Sequence, residues 1–421
     1  MITLCENMKL QTANWCLRNN YRQHSNQMEL VEQVDFKIYE SVNEVPEQVW
    51  TTIINPSNLL TQASYLQMIE KLHSDQLRFY YSVCYLDKEL VGFFFFQENI
   101  FRGTNLLDYF PSEENANWLK RIGIKFISLF KPIIRKIEVP MLNAGNIFMT
   151  GEAGCFCIYQ QNKVARYALQ LRCIESIIQQ YPHIKAILNA DFYEDDIEDS
   201  EIFRNEKYRY ISIEGDNIMR IPSEWKTFED YILALSSKYR VRAKNIIKKS
   251  TAVSKMNLSL EDTKKYANEI NALYQHVASK VSFKLATLHQ DFFIYQKENM
   301  PDNYYIEGYF HNDTMIGFVS YYVFDDSIEV HYFGIDYAIL KELHLYQRML
   351  YDMVATAIHF QKRKIHFGRT APEVKTTIGA ELKPMFGYLK YRNPVVNFIM
   401  QFFTRNLQPR QYTLRSPFKE A

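Results

Sequence analysis

A fifteen-residue stretch occurs twice in this chain, and that repeat limits the accessible folds more than any other feature. FYYSVCYLDKELVGF (Phe79 to Phe93) aligns without a gap on YYIEGYFHNDTMIGF (Tyr304 to Phe318). Tyr80 matches Tyr305, Gly92 matches Gly317 and Phe93 matches Phe318, while Leu90/Met315 and Val91/Ile316 exchange one apolar shape for another. Asp87-Lys88 and Asn312-Asp313 stand at the same place between aromatic and β-branched runs. Each copy is therefore predicted as strand, tight polar turn, strand. A unit duplicated at this distance in 421 residues implies two similar halves.

The surroundings of the two copies also agree. Helical spacing at Tyr65, Met68, Ile69 and Leu72 precedes the first, and at Tyr266, Ile270, Leu273 and Val277 the second. After the second come a strand over SIEVHYFGID, a helix over HLYQRMLYDMVATAIHFQKR and a strand over KIHFG. Tyr346, Met349, Leu350, Met353, Val354, Ala357 and Ile358 form that helix's apolar stripe. The first half gives a rougher version, strand-like in GNIFMTGEAGCFCIYQ, helical in VARYALQLRCIESIIQQYP and strand-like in KAILNADFY. The order is helix, hairpin, strand, helix, strand, twice over.

The C-terminal half resembles the GNAT-like acyltransferases of the Fem-like and cellulose-biosynthesis-related type. The resemblance is carried by YFGID (Tyr332 to Asp336), by FGR (Phe367 to Arg369), and by Lys375 with IGAE following. LSSKYRVRAKNIIKKS is similar to the basic helix that opens the second domain of such proteins. The likeness covers roughly residues 225 to 395, and reaches the first half through the repeat and the element order. It implies an α+β (mixed α/β) fold of two tandem GNAT-like acyl-CoA N-acyltransferase domains, each a mixed twisted sheet flanked by helices. The expected division is an extension over 1–35, a degenerate first domain over 36–215 on the acceptor or docking side, a candidate catalytic domain over 216–395 and a tail over 396–421.

The resemblance further implies transfer of an acyl or aminoacyl group to an amine, with acyl-CoA or another acyl or aminoacyl donor as co-substrate and no metal. The acceptor would be an amine-bearing small molecule, a lipid or a cell-wall precursor. Two alternatives stand beside this: a tRNA-dependent aminoacyltransferase of cell-envelope biosynthesis, and a non-catalytic binding scaffold on the same fold. In acetyl-CoA-using relatives a Gly-rich turn opens the helix after the fourth strand, offering backbone N–H groups to a pyrophosphate. Here Tyr337 to Leu350 contains no glycine, a departure from that pattern.

An N-acyl transfer needs a base for the attacking amine and donors for the developing oxyanion. Period-2 alternation on SIEVHYF is expected to place Glu329, His331 and Phe333 on one face, with Ile328, Val330 and Tyr332 on the other. His331 and Glu329 are thus the candidate bases, and Phe333 and Tyr346 candidate linings of the donor or acceptor site. Gly368 is expected to turn the chain sharply, leaving Arg369 and Lys375 to form an anion-binding loop. The alternative is that Arg369 braces that loop on Glu373 or Glu381.

Formal net charge is only +1, so any polyanion-binding surface is local. One candidate lies between Lys238 and Lys249, where Lys238, Arg240, Arg242 and Lys244 follow each other without an acid over the stripe Tyr239, Ala243, Ile246, Ile247. Such a face suits tRNA phosphates, an anionic acyl carrier or lipid headgroups, or is simply solvated. The stretches WLKRIGIKFISLFKPIIRKIE (Trp118 to Glu138) and NPVVNFIMQFFTRNLQPR (Asn393 to Arg410) mix large apolar side chains with Lys and Arg. They suit peripheral membrane contact, a core helix or a docking tail. No long apolar span or signal-peptide core is present, and six scattered cysteines show no zinc spacing. These point to a cytoplasmic setting, extending to the inner face of the membrane.

Overall fold

Both copies of the repeat fold as hairpins with the same irregularity at the same residue. The computed structural model describes residues 31–53, 60, 62–104, 135–151, 155–158, 162–281, 284–404 and 412–419. In the first half the strands are β1 (Asp35–Tyr39), β2 (Arg78–Leu86), β3 (Glu89–Arg102), β4 (Glu138–Ala144), β5 (Cys155–Cys157), β6 (Ala186–Tyr193) and β7 (Arg209–Arg220). In the second they are β8 (Ser254–Asn257), β9 (Tyr304–His311), β10 (Thr314–Val323), β11 (Ser327–Ile335), β12 (Lys364–His366) and β13 (Glu381–Tyr391). The β2/β3 turn places Asp87 and Lys88 at φ 51° and 72°, and the β9/β10 turn places Asn312 and Asp313 at 49° and 59°. Two successive left-handed residues match the twist of the flanking strands. Pairing then jumps from Cys84↔Gly92 to Tyr85↔Leu90 in one hairpin and from Tyr309↔Gly317 to Phe310↔Met315 in the other. The extra residues, Val91 and Ile316, are aligned partners in the sequence repeat.

All thirteen strands belong to one sheet, ordered β1-β2-β3-β4-β6-β13-β7-β12-β11-β10-β9-β8, with β5 on β3. Each half supplies an antiparallel run that ends in a parallel pair, β4 with β6 and β11 with β12. At the centre the closing strands are exchanged. β7, from the first half, lies between β13 and β12, while β13, from the second, lies between β6 and β7. The junction expected at 215/216 falls inside β7, which runs unbroken into the second half's sheet.

Side chains on successive strand residues go to opposite faces. Tyr81, Phe93 and Phe95 of the first hairpin therefore join Phe318 and Tyr322 of the second in one shared core. The helices Ala63–His73, Ala267–Ala278 and Phe292–Asn299 cover that face. Tyr80, Phe94 and Phe96 pack instead with helix Lys163–Gln180, and Val319 and Tyr321 with helix Leu345–His359. The apolar stripes read from the sequence in helices Ala63–His73 and Leu345–His359 are buried, apart from the half-buried Tyr346. No helix among the described residues is long and apolar enough to cross a membrane. Residues 1–30, 118–134, 152–154, 159–160 and 405–410, parts of stretches noted above, lie outside the described residues.

The two repeat glycines differ in their surroundings. A Cβ on Gly317 would meet the Gly334 carbonyl oxygen at 2.9 Å and Met349 Cε at 2.4 Å, whereas one on Gly92 would meet only side chains, the nearest at 3.0 Å. Gly317→Ala is expected to lower stability by about 1–3 kcal/mol and Gly92→Ala by less, since only the former presses on backbone. Urea midpoints of the two variants measure the order.

Candidate functional site

The parallel pair β11/β12 is only three residues long and ends at Glu329↔His366. Beyond it β11 continues to Ile335, while the other chain peels away toward β7, where the Phe367 N–H donates to the Asn217 carbonyl at 2.8 Å. Gly368 at φ 72° makes the departure, and nothing else crowds it. Asn217 Nδ2 then donates to the Gly368 carbonyl at 2.7 Å. The strands thus form a fork with Glu329 and His366 at its base.

Three carboxylates gather around this fork. His366 Nδ1 donates to Asp216 Oδ2 at 2.8 Å, and its Nε2 lies 3.6 Å from Glu329 Oε1. Tyr193 OH donates to the same Asp216 oxygen at 3.2 Å, and Ser327 Oγ to Glu329 Oε1 at 3.0 Å. The third carboxylate, Asp191, accepts from Arg369 and from the Gly151 N–H at 3.0 Å. Asp216 is almost fully buried at 1% exposure, whereas Glu329 keeps 19% and His366 21% of the side chain accessible. A reactant therefore meets Glu329 and His366 first, with Asp216 behind them.

The electrostatics follow from burial and from these partners. Burial drives the Glu329 carboxyl up to about 7, with the neighbouring His366 pulling the other way. Burial opposes a charged His366, but the Asp216 hydrogen bond and the Glu329 charge together hold the imidazole above its ordinary value. Asp216 is disfavoured by burial and yet held below the usual carboxylate range by His366, Lys375 and Tyr193. The set thus favours an ionised Asp216 and the charged form of His366, with Glu329 near its midpoint at neutrality.

Of the residues named from the sequence, Glu329, Gly368, Arg369 and Lys375 gather here. Arg369 does not pair with Glu373 or Glu381. It reaches across to Asp191 on β6 of the first half, while Glu373 accepts from the Thr413 N–H and Glu381 pairs with Lys383. Lys375 is 1% exposed, and its Nζ donates to the carbonyls of Phe367 and Gly368 at 2.6 and 3.1 Å. Burial lowers it to about 7. It secures the loop's backbone from beneath.

His331 lies elsewhere. Pairing between β10 and β11 jumps from Ser320↔Tyr332 to Tyr321↔Val330, so His331 is the extra residue of a bulge. The alternation breaks there: Tyr332 packs on the core shared by both halves, and Phe333 packs on the opposite face, 5.2 Å from Tyr346 between ring centroids. Phe333 therefore does not share a face with Glu329. His331 Nε2 donates to the Phe148 carbonyl of the first half at 3.2 Å, and Tyr304 OH donates to its Nδ1 at 3.4 Å. Burial brings the imidazole down to about 3, so it is neutral and joins the halves.

The basic stretch is the helix Ser237–Lys249, docked through Ala243 and Ile246. Lys238, Arg242 and Lys244 are exposed, and Arg240 turns back to donate to the Leu235 carbonyl at 2.9 Å. Lys238, Arg242 and Lys249 line a groove of about 410 Å³ with His344 and Gln347, at the start of helix Leu345–His359. His344 adopts the left-handed φ of 50° there without being glycine. The equivalent fork of the first half, between β4 and β6, opens on a space of about 30 Å³ lined by Phe94, Phe95, Phe192, Gly151, Arg166 and Gln170.

Asp216, His366, Asp191 and Tyr193 were not among the residues named from the sequence. The signal for His366 was its place directly before Phe-Gly-Arg on the strand next to Glu329. Nothing local marks the other three, because their strands come from the first half.

No protein-family model matches the chain, and no curated protein matches its sequence. Among solved structures, FemX overlays with a TM-score of 0.51 and 11% identity, over 87% of this chain and 100% of that one. A tandem GNAT protein from the clavulanic acid biosynthesis pathway overlays at 0.49 with 9% identity, over 86% and 99%. The C-terminal domain of a putative lysylphosphatidylglycerol synthetase from Agrobacterium fabrum gives 0.45 with 6% identity, over 85% and 95%. At such identities the likeness concerns the fold, and the FemX overlay carries it. The expected α+β fold is the one observed, except that the two halves share one mixed sheet where a sheet in each was expected.

His331 and His73 make stability sensitive to acid. His73 is fully buried against Phe148 with neither ring nitrogen hydrogen-bonded, and burial lowers it to about 4. Both histidines have folded values below the roughly 6.5 of an unfolded chain. Their contribution is complete above about pH 6.5 and is lost as the pH falls toward 4, by up to about 1.4 kcal/mol per pH unit for each. Urea denaturation from pH 7 to 4.5 is expected to show this slope, made shallower by His331→Gln.

Proposed function

We propose that the protein is an acyltransferase that moves an acyl or aminoacyl group onto an amine, with chemistry at the fork between β11 and β12. The observation that carries this reading is Glu329, a partly exposed carboxylate raised to about 7 beside the His366–Asp216 pair. A base is most effective when its pKa lies near the working pH. In the proposed step the amine lone pair attacks the donor carbonyl, forming the C–N bond, and Glu329 takes the ammonium proton. The C–S or C–O bond to the carrier then breaks, and the carrier leaves with a proton. His366, held by Asp216, places a positive charge beside Glu329 as that proton arrives and departs. Arg369 and Asp191 make the first half a wall of the same site.

The donor follows less directly. Acyl-CoA fits the fold, and its pyrophosphate would face the start of helix Leu345–His359. The exposed cations Lys238, Arg242 and Lys249 beside that helix favour a second reading, aminoacyl-tRNA, whose phosphates need a broader basic surface.

The test is a turnover screen of the purified protein against short- and long-chain acyl-CoA, acyl-carrier protein and aminoacyl-tRNA with primary-amine acceptors. With the donor found, Glu329→Gln is expected to lower kcat by about 10²–10⁴-fold while the protein stays folded. The wild-type kcat/KM should rise with pH through a midpoint near 7, because the base works ionised. Undiminished turnover in the variant removes Glu329 from the chemistry.

A further inference from the structure

The start of helix Pro394–Thr404 is inside out. Its sequence, PVVNFIMQFFT, contains no charged residue, yet Val395, Val396 and Phe398 are 65%, 39% and 58% exposed while Asn397 is buried at 5%. At 100° per residue the three apolar side chains span one side of the helix and Asn397 points the opposite way. The inversion is held in place by specific bonds. Asn397 Nδ2 donates to the Lys207 carbonyl at 3.0 Å and its Oδ1 accepts from the Tyr391 N–H at 3.1 Å. Asn393 Oδ1 caps the start, accepting from the N–H groups of Val395 and Val396 at 2.9 and 3.1 Å. The polar group anchors the helix to the protein, and the apolar side is turned outward.

Cations outnumber acids beside this helix. Lys390 and Arg392 lie in the lead-in to the helix, and Arg209 Nε donates to the Asn397 carbonyl at 3.4 Å. Exposed Lys185 and Lys207 lie on segments bonded to the helix and its lead-in, Lys185 through its carbonyl to the Arg392 N–H at 2.9 Å. The acids here are Glu206, exposed next to Lys207, and Glu175, both facing Lys390. Eleven residues rise only about 16 Å, too short to cross a bilayer but suited to lying in its headgroup layer.

We propose that helix Pro394–Thr404 seats the protein on an anionic lipid surface, its apolar side at the headgroup–acyl boundary and the surrounding cations on the lipid phosphates. A second copy of the chain fits less well, because a twofold contact would set the cations Lys390, Arg392, Lys185 and Lys207 against their own copies. The surface is independent of the proposed chemistry. β13 separates Lys383, opposite Asp216, from Tyr391 by about 26 Å at 3.3 Å per residue, so a change in the helix leaves the fork intact.

The experiment is co-sedimentation of the full chain with vesicles of phosphatidylglycerol and phosphatidylcholine, or of phosphatidylcholine alone, at low and at 0.5 M salt (about 10 and 3–5 Å screening lengths). Val395→Glu/Val396→Glu is the test variant, since acids in a first helical turn suit the helix dipole and folding is retained. The expected result is binding to the anionic vesicles that falls at least about tenfold in the variant and weakens with salt, as loss of two buried apolar side chains and added negative charge require. Absence of vesicle binding, or equal binding by the variant, overturns the proposal. So does a dimer in solution that the variant dissociates while vesicle binding persists.

Discussion

The pairing of β7 with β13 is the constraint on which the rest of the structure depends. The two strands run antiparallel from Glu381↔Ile218 to Leu389↔Arg209, and each is also hydrogen-bonded to the parallel pair of the half it did not come from. Two repeats that would each leave an open sheet edge instead close on each other, so no edge is exposed at the centre. The exchange also decides which side chains can meet. Asp216 lies on a first-half strand, yet the register Ile218↔His366 at the end of β12 sets it beside an imidazole of the second half.

The fork draws its chemistry from that exchange. A carboxylate beside a charged histidine would ordinarily fall in pKa, and Glu329 rises because burial outweighs its neighbour. Asp216 falls although it is the more buried, because it alone receives direct hydrogen bonds from His366 and Tyr193. Environment thus separates two carboxylates on either side of one imidazole, which is the usual way that one site holds both an acid and a base. Arg369 and Asp191 extend the same logic across the halves, as does His331 with the Phe148 carbonyl.

The sequence repeat was legible as a pair of hairpins because hairpins are local, and the bulge each carries was not foreseen. Their turn residues, their shared glycine and their apolar runs all lie within fifteen positions. The stripes of helices Ala63–His73 and Leu345–His359 were legible for the same reason. Strand exchange left no such trace, since an exchanged and an unexchanged closing strand have the same apolar pattern. Alternation in SIEVHYF failed at His331 because a bulge opposite Ser320/Tyr321 is set by the partner strand. Half of the fork's polar groups belong to β6 and β7, and no motif in either strand announces a partner more than one hundred residues away.

Whether the fork holds a base tuned to neutrality is settled most directly without knowing any substrate. In protein labelled with ¹³C at glutamate Cδ, with the Glu329 signal assigned by its loss in Glu329→Gln, the carboxyl should titrate with a midpoint near 7. Replacing His366 by Gln should move that midpoint higher still, because the neighbouring cation is then gone. A midpoint in the ordinary range near 4.5, unmoved by the loss of His366, would contradict the account.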